Sequence, residues 1–117
     1  MRTRVKICGF TRVEDAVYAA HLGVDAIGLV FYPPSPRHVE IEQAIRVVNA
    51  LPAFTSVVAL FVNEQEARIR EVLERVPIDC LFRLLRLDDK HPAITPLHHD
   101  SAAPMRLYQY HPAFLPL

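Results

Sequence analysis

Residues 26–31 of this chain read AIGLVF, and every position in the run is apolar or glycine. A strand with one face in water alternates apolar and polar residues, whereas a strand of a parallel sheet is covered on both faces and stays apolar throughout. A proline-rich loop, residues 32–38, follows the run and ends it. The stretch therefore predicts a buried strand in a parallel sheet, the arrangement typical of α/β proteins.

Two further runs flank this strand, a short strand-like run over residues 4–8 before it and a second buried-strand run over residues 55–62 after it. Apolar residues recur at helical spacing between these runs and after the last one. They are Ala16, Val17, Ala20 and Leu22, then Ile41, Ala44, Ile45 and Val48, then Ile69, Val72, Leu73 and Val76. Strands thus begin roughly every 20 to 30 residues, the spacing of parallel strands joined by crossover helices. The pattern predicts an α/β fold of repeated βα units.

Local signals mark where the predicted helices begin and end. Thr11 with Glu14 three residues later forms a capping box, and Gly23 ends the helix that follows. Asn63 also precedes an acidic residue by three positions, so we expect Asn63 to be the N-cap of the third helix. Pro77 breaks that helix.

The pattern changes after Asp79. Residues 80–82 predict the start of a fourth strand, but residues 83–90 show no strand pattern and no turn signal. From His91 onward, prolines and histidines are scattered through a segment without a sustained period. We therefore expect two parts, a βα domain over residues 1–79 and a divergent, poorly ordered tail over residues 80–117.

Charge and cysteine content exclude several classes of protein. Thirteen Lys and Arg balance thirteen Asp and Glu without clustering, so we expect no nucleic-acid partner. The apolar stretches are too short for a signal peptide or a membrane span, so we expect a cytoplasmic protein without a membrane partner. Cys8 and Cys80 lack CxxC spacing and His98-His99 lack a third ligand, which predicts free thiols and no metal site.

Several motifs occur in the order in which they occur in the N-terminal part of one enzyme family. Residues 6–11 read KICGFT, residues 23–32 read GVDAIGLVFY, residues 35–37 read SPR and residues 60–63 read LFVN. Over roughly residues 4–79 the chain resembles the N-terminal half of phosphoribosylanthranilate isomerases. The resemblance implies an α/β fold, a partial (βα)8 TIM barrel with about three and a half βα units on a parallel sheet.

The resemblance also implies an isomerase of tryptophan biosynthesis that needs neither metal nor cofactor. Its small-molecule substrate is a phosphorylated sugar joined to anthranilate, which an Amadori rearrangement converts into a carboxyphenylamino-deoxyribulose phosphate. A general acid protonates the sugar ring oxygen, and a general base removes the proton from the adjacent sugar carbon. In the family a cysteine is the base and an aspartate is the acid.

Cys8 matches the family's catalytic base, since it ends the first strand, where barrel enzymes place reactive groups. Lys6 is expected on the same face, where a positive charge favours the thiolate and binds an anionic substrate. Arg37 is assigned to the anthranilate carboxylate, which a guanidinium holds with two hydrogen bonds. The plain structural alternatives are a small buried thiol at Cys8 and an exposed loop arginine. His21 and His38 are interpreted as surface residues.

The resemblance stops at the fourth strand. The family has a Gln-x-His-Gly segment there, whereas residues 81–87 read LFRLLRL. The acid and the phosphate-binding loops belong to later strands, and none of Asp88, Asp89 and Asp100 ends a recognisable strand. A closed barrel needs on the order of 200 residues, so we expect an open half-barrel whose unpaired edge promotes self-association.

Two functional hypotheses follow, and they belong to different classes. In the first, the chain is a phosphoribosylanthranilate isomerase that is incomplete alone and needs a complementing half. In the second, it is a non-catalytic α/β half-barrel fragment or an interaction module. A small flavodoxin-like domain is a weaker third alternative, because neither a fifth strand nor a phosphate-binding glycine loop is visible in the sequence.

Overall fold

Strands and helices alternate along the chain. The computed structural model describes residues 2–86 and 105–110. The elements are β1 (Lys6–Cys8), α1 (Val13–His21), β2 (Ala26–Val30), α2 (Ile41–Ala50), β3 (Ser56–Val62), α3 (Glu66–Arg75), β4 (Cys80–Arg86) and β5 (Met105–Tyr110). Within the described ranges the strands form one sheet in the order β1-β2-β3-β4-β5, and β1 to β4 are parallel. The predicted α/β class with a parallel sheet is confirmed.

The sheet's strand order identifies the kind of α/β fold. Each parallel strand lies beside the one that precedes it in the sequence, as in the wall of a barrel. A flavodoxin-like domain has the order 2-1-3-4-5 and reverses direction within the sheet. The sequential order therefore excludes the flavodoxin-like alternative and confirms the partial barrel.

One face of the sheet is covered by the three helices, and it carries the hydrophobic core. Outward-facing strand residues pack against apolar positions of the helices, and all of them are buried. They include Ile27, Leu29, Val57, Ala59, Phe61 and Leu81 from the strands and Ala16, Ala44, Val47, Ile69 and Val72 from the helices. Phe31 and Phe61 stack with their ring centroids 5.4 Å apart. Burial of this apolar surface is the main stabilising contribution to the fold.

The opposite face, called the open face below, carries Lys6, Cys8, Gly28, Cys80 and Phe82. The register places Cys8 and Cys80 at the same level of the sheet. Cys8 on β1 pairs with Gly28 on β2, Gly28 pairs with Val58 on β3, and Val58 pairs with Cys80 on β4. Because side chains alternate along a strand, Lys6 and Cys8 share this face, as predicted. The Lys6 ammonium lies 5.4 Å from the centre of the Phe82 ring, across β2 and β3. That contact indicates a sheet curved toward the open face.

Both predicted N-caps are wrong. Helix α1 begins at Val13 with Arg12 as its N-cap, and that cap makes no side-chain hydrogen bond. The Thr11 carbonyl instead accepts a hydrogen bond from the Gln43 side chain of α2. Helix α3 begins at Glu66 with Gln65 as its N-cap. Each helix thus begins one or two residues later than the local capping signal predicts.

Asn63 has a different role from the predicted cap. It adopts a left-handed conformation, with φ 49°, at the turn that leaves β3. Asparagine tolerates this region better than most residues because its short polar side chain bonds locally. The Asn63 amide donates to the Leu84 carbonyl at 2.8 Å, so it extends the ladder between β3 and β4.

The sheet continues beyond the predicted fourth-strand start. Strand β4 runs from Cys80 to Arg86, so the absence of strand structure expected over residues 83–90 is wrong for residues 83–86. The reason is tertiary, since the exposed edge of β3 offers Val58 to Val62 as pairing partners for β4. Arg83 adds a hydrogen bond from Nη2 to the Glu64 carbonyl at 3.0 Å.

Strand β5 overturns the irregular structure expected for part of the tail. Residues 105–110 pair antiparallel with β4, from Arg86 opposite Met105 to Leu81 opposite Tyr110. The other candidate groups of the tail, Asp88, Asp89, Asp100 and the His98-His99 pair, lie outside the described residues. The division into residues 1–79 and 80–117 stays a prediction. None of the helices that the structure describes is both long and apolar enough to cross a membrane.

Candidate functional site

The carboxyl end of β1 is held by a tight turn. Gly9 follows Cys8 with φ 95°, a conformation that costs a residue with a side chain energy and suits glycine. The amides of Gly9 and Phe10 both donate to the Gly28 carbonyl of β2, at 2.9 and 3.2 Å. These bonds fix the end of β1, and with it Cys8, against the neighbouring strand.

The half-buried side chain of Cys8 packs against β2. Its Cα partner there is Gly28, which has no side chain on the open face. A Cβ atom built on Gly28 would lie 2.5 Å from the Cys8 Sγ, so the thiol occupies that space. The structure thus places the predicted base at a strand end, in contact with a glycine.

The loop between β2 and α2 brings Arg37 to this strand end. The Arg37 amide donates to the Ser35 Oγ at 3.1 Å, and the His38 amide donates to the Ser35 carbonyl, also at 3.1 Å. The Val39 amide then bonds the Val30 carbonyl at 2.9 Å. The loop therefore folds back over the end of β2 and directs Arg37 toward β1.

Arg37 and Cys8 are neighbours although 29 residues separate them in the sequence. The Arg37 guanidinium donates through Nη1 to the Cys8 carbonyl at 3.4 Å. Its aliphatic stem lies against Gly9, where a Cβ atom would be 2.5 Å from the Arg37 Cδ. Arg37 is exposed, so its charge stands at the surface next to the backbone of Cys8. The two predicted site residues are brought together.

Lys6 lies on the same open face but makes a different contact. Its ammonium is the cation of the pair with the Phe82 ring, a contact worth on the order of 0.5–1 kcal/mol at exposed sites. Lys6 itself is exposed. The structure thus keeps a second positive charge on the face that carries Cys8, and its substrate-binding role stays a prediction.

His38 is more buried than the predicted surface position, with 19% of its side chain exposed. Its Nε2 lies 2.8 Å from Glu40 Oε1, while its buried Nδ1 has no hydrogen-bond partner. The hydrogen bond with His38 lowers the pKa of Glu40, and Arg68 of α3 adds to this effect. These contacts fasten the end of the Arg37 loop to α3. His21 is exposed, as predicted.

Two aspartates that the sequence analysis did not single out fasten the opposite ends of the strands. The Asp25 carboxylate accepts the Val5 amide at 2.8 Å and pairs with Arg2. The Arg2 hydrogen bond is the main cause that lowers the pKa of Asp25 to about 2. The Asp79 carboxylate accepts the Val57 amide at 2.7 Å. The signal that could have found them is the repeated position of an aspartate directly before a strand.

Among residues 2–86 and 105–110, no three His, Cys, Asp or Glu side chains lie together as a candidate metal site. The predicted site residues are a thiol and a cation on the open face, Cys8 and Lys6, and a second cation, Arg37, in the loop at the carboxyl end of β1.

Comparison with known proteins gives a consistent result. The family model described as N-(5'phosphoribosyl)anthranilate (PRA) isomerase matches residues 5–82. The relative of that name from Nitrosococcus oceani is 58% identical over 81 residues, which are 69% of this chain and 39% of the relative. The relative from Neisseria meningitidis is 61% identical over 80 residues, 68% of this chain and 38% of the relative.

Solved structures agree with the sequence relatives. Phosphoribosyl anthranilate isomerase in complex with reduced 1-(o-carboxyphenylamino)-1-deoxyribulose 5-phosphate superposes with a TM-score of 0.65 and 44% identity, covering 67% of this chain and 40% of that one. The isomerase from Thermotoga maritima gives the same TM-score and identity over 67% and 38% of the two chains. The chain thus spans about two fifths of the length of the proteins that it matches.

Proposed function

This chain belongs to the N-(5'-phosphoribosyl)anthranilate isomerase family, and we propose that it supplies the base-bearing half of that isomerase's active site. The observation that carries the proposal is the pairing of Cys8 with Arg37 at the carboxyl end of β1. A group that binds the substrate and a group that removes a proton are thereby held side by side.

The reaction asks for two proton transfers. Protonation of the furanose ring oxygen lets the C1'–O bond break as the anthranilate nitrogen forms a double bond to C1', which gives an iminium ion conjugated with the anthranilate ring. The base then takes the proton from C2' of the sugar, which gives an enolamine that tautomerises to the ketose. In the proposal Cys8 accepts the C2' proton as a thiolate, and general-base catalysis of this kind contributes about 10²- to 10⁴-fold.

Arg37 is proposed to bind the carboxylate of the anthranilate ring. A guanidinium matches a carboxylate in two parallel hydrogen bonds, and Arg37 is both exposed and anchored beside Cys8. In the substrate the carboxylate is ortho to the nitrogen that carries C1', and C2' is the next carbon. Binding the carboxylate at Arg37 therefore brings the C2' proton toward the Cys8 thiol.

Lys6 is proposed as a second group that binds the anionic substrate. Its ammonium lies on the open face two residues before Cys8, held over Phe82 by a contact weak enough to be exchanged for an anion.

The remaining groups are proposed to come from another polypeptide segment. The chain spans about 39% of the length of its relatives, and the described carboxylates Asp25 and Asp79 lie at the amino ends of their strands, away from Cys8. The exposed large apolar side chains at or beside β1 and α1, namely Val5, Ile7, Tyr18 and Leu22, offer a surface for such a segment. A second copy of this chain is one source, which makes self-association part of the proposal.

The competing hypothesis is a non-catalytic half-barrel fragment or an interaction module. This hypothesis predicts that the side chains at the carboxyl end of β1 share no catalytic or binding role. The hydrogen bond from Arg37 to the Cys8 carbonyl favours the isomerase, because it brings the two predicted site residues to the same strand end.

Turnover of freshly generated phosphoribosylanthranilate, followed by the loss of its fluorescence, tests the proposal. The chain is assayed alone and mixed with the remaining portion of the Nitrosococcus oceani isomerase. We expect turnover in the mixture, its loss by about 10²-fold or more with Cys8→Ala, and its retention with the matched variant Cys80→Ala.

Binding provides a second measurement that does not depend on turnover. Titration of the chain with reduced carboxyphenylamino-deoxyribulose phosphate, the ligand bound in the related structure, measures the contribution of Arg37. Turnover that survives Cys8→Ala would contradict the proposal. A mixture without turnover, together with ligand binding that does not depend on Arg37, would do so as well.

A further inference from the structure

Gly28 stands in the middle of the buried strand β2, where glycine is a poor choice for stability. It lacks a side chain to pack and it loses more backbone freedom on folding than any other residue. A glycine inside a strand therefore often marks a place where another group must approach the backbone closely. In β2 that group is Cys8, the Cα partner of Gly28 on β1.

The contact leaves no room for even one methyl group. A Cβ atom on Gly28 would lie 2.5 Å from the Cys8 Sγ and 3.0 Å from both its Cβ and its Cα. Rotation of the thiol relieves the first of these contacts, but the Cα belongs to the backbone and stays where it is. Any side chain at Gly28 therefore displaces the Cys8 side chain from its present position.

The backbone on either side of the contact is fastened, so β1 is hindered from moving away as a unit. The Gly28 carbonyl accepts the amides of Gly9 and Phe10 at 2.9 and 3.2 Å. The Cys8 carbonyl accepts the Arg37 guanidinium at 3.4 Å. Gly28 thus leaves the space that the thiol occupies, because it has no side chain, and its carbonyl oxygen fixes the turn that follows Cys8.

We propose that Gly28 is a positioning residue for the isomerase reaction, because its missing side chain forms the space that holds the Cys8 thiol in place. The inference rests on the proposed role of Cys8 as the base. A base acts only within hydrogen-bonding reach of the proton that it removes, and a displacement of about 1 Å can cost on the order of 100-fold in rate.

The reactivity of the two thiols measures this effect in the chain as it exists. Alkylation by iodoacetamide is followed across neutral pH, and mass spectrometry of the digested chain gives separate rates for Cys8 and Cys80. With Gly28→Ala we expect the Cys8 rate to change by roughly two- to tenfold, the range that corresponds to forcing a side chain off its rotamer. The Cys80 rate is expected to stay unchanged.

Two controls separate positioning from a general loss of structure. Ala26→Ser adds one atom on the same face of β2, two residues before Gly28, and is expected to leave both thiol rates unchanged. A Gly28→Ala chain that merely opens more often would instead expose both thiols, and both rates would rise together. That result, or a Cys8 rate equal to that of the unchanged chain, would overturn the inference.

A double variant covers the case in which Gly28→Ala does not fold. Cys8→Gly removes the Sγ atom at 2.5 Å and the Cβ atom and leaves only the 3.0 Å contact with the Cα, so Cys8→Gly/Gly28→Ala should recover the native circular dichroism spectrum. Failure to recover it would also overturn the inference. Both tests are independent of turnover, so an altered Cys8 rate in a chain that neither binds the ligand nor turns it over contradicts the proposed function alone.

Discussion

Two pairs of strands in this sheet are fastened in the same way at their amino ends. Asp25, directly before β2, accepts the Val5 amide through its carboxylate, and its own amide donates to the Val5 carbonyl at 3.0 Å. Asp79, directly before β4, accepts the Val57 amide, and its own amide donates to the Val57 carbonyl at 2.9 Å. The same clamp therefore sets the alignment of β1 with β2 and of β3 with β4.

The carboxyl ends of the same two pairs differ. In the first pair Cys8 faces Gly28 at the end of β1, and Arg37 lies on Gly9 and donates to the Cys8 carbonyl. In the second pair Val62 pairs with Leu84 at the end of β3, and the Asn63 amide then donates to the Leu84 carbonyl at 2.8 Å. The comparison teaches that one end of the sheet maintains the architecture while the other end varies the chemistry, as in barrel enzymes generally.

Exchange of an arginine at each end tests that division most strongly. Arg37→Lys removes the planar fork at the carboxyl end, and we expect ligand affinity to fall by about 2 kcal/mol, or roughly thirtyfold, without loss of stability. Arg2→Lys makes the same exchange in the clamp at the amino end. Titration with the reduced product analogue should find its affinity unchanged, and equal losses for the two variants would refute the division.

Two glycines with nearly the same backbone conformation separate the effect of backbone strain from the effect of the contact with Arg37. Gly9 and Gly23 have φ 95° and 94°, but a Cβ at Gly9 meets Arg37, whereas one at Gly23 meets nothing within 4 Å. Gly9→Ala and Gly23→Ala should each lower the free energy of unfolding by about 1 kcal/mol, measured by urea denaturation. We expect only Gly9→Ala to weaken ligand binding as well. A loss of affinity with Gly23→Ala would show that the strain itself, rather than the contact, matters.

The smallest expected effect is the pH dependence of the first clamp. Since the pKa of Asp25 is lowered to about 2 in the folded chain, its contribution to stability is complete above the unfolded value of about 3.9. It is lost as the pH falls from there toward 2, because protonation removes the carboxylate from the Arg2 and Val5 hydrogen bonds. Urea midpoints measured across this range should converge for the unchanged chain and Asp25→Asn at the acidic end. A constant difference between the two sets of midpoints across this pH range would exclude a contribution from the ionisation of Asp25.

Much of the fold could be predicted because hydrophobic periodicity is a local property. The continuous apolar runs around Ile27 and Val58 identified buried parallel strands, and the structure confirms both. Prediction failed for β4 beyond Phe82, where Arg83 and Arg86 interrupt the apolar pattern. A strand next to an already formed edge gains its hydrogen bonds from that edge, so pairing overrides composition.

The candidate site could be predicted only in part. Cys8 and Arg37 were identified because they lie in recognisable motifs, but the motifs give no distance between them. The clamps of Asp25 and Asp79 were missed because each joins a side chain to an amide more than 19 residues away. The N-caps predicted at Thr11 and Asn63 are wrong because the two helices begin later than the local signal indicates.

The sequence by itself determined the α/β alternation, the family, and the position of a cysteine at the end of the first strand. Those features depend on residues that are close together in the chain. Only the tertiary structure decided that Arg37 lies on Gly9, that the Cys8 thiol fills the space above Gly28, and that residues 83–86 extend the sheet. Each of these depends on the register between strands, which is set by packing and hydrogen bonding over the whole sheet rather than by any one segment.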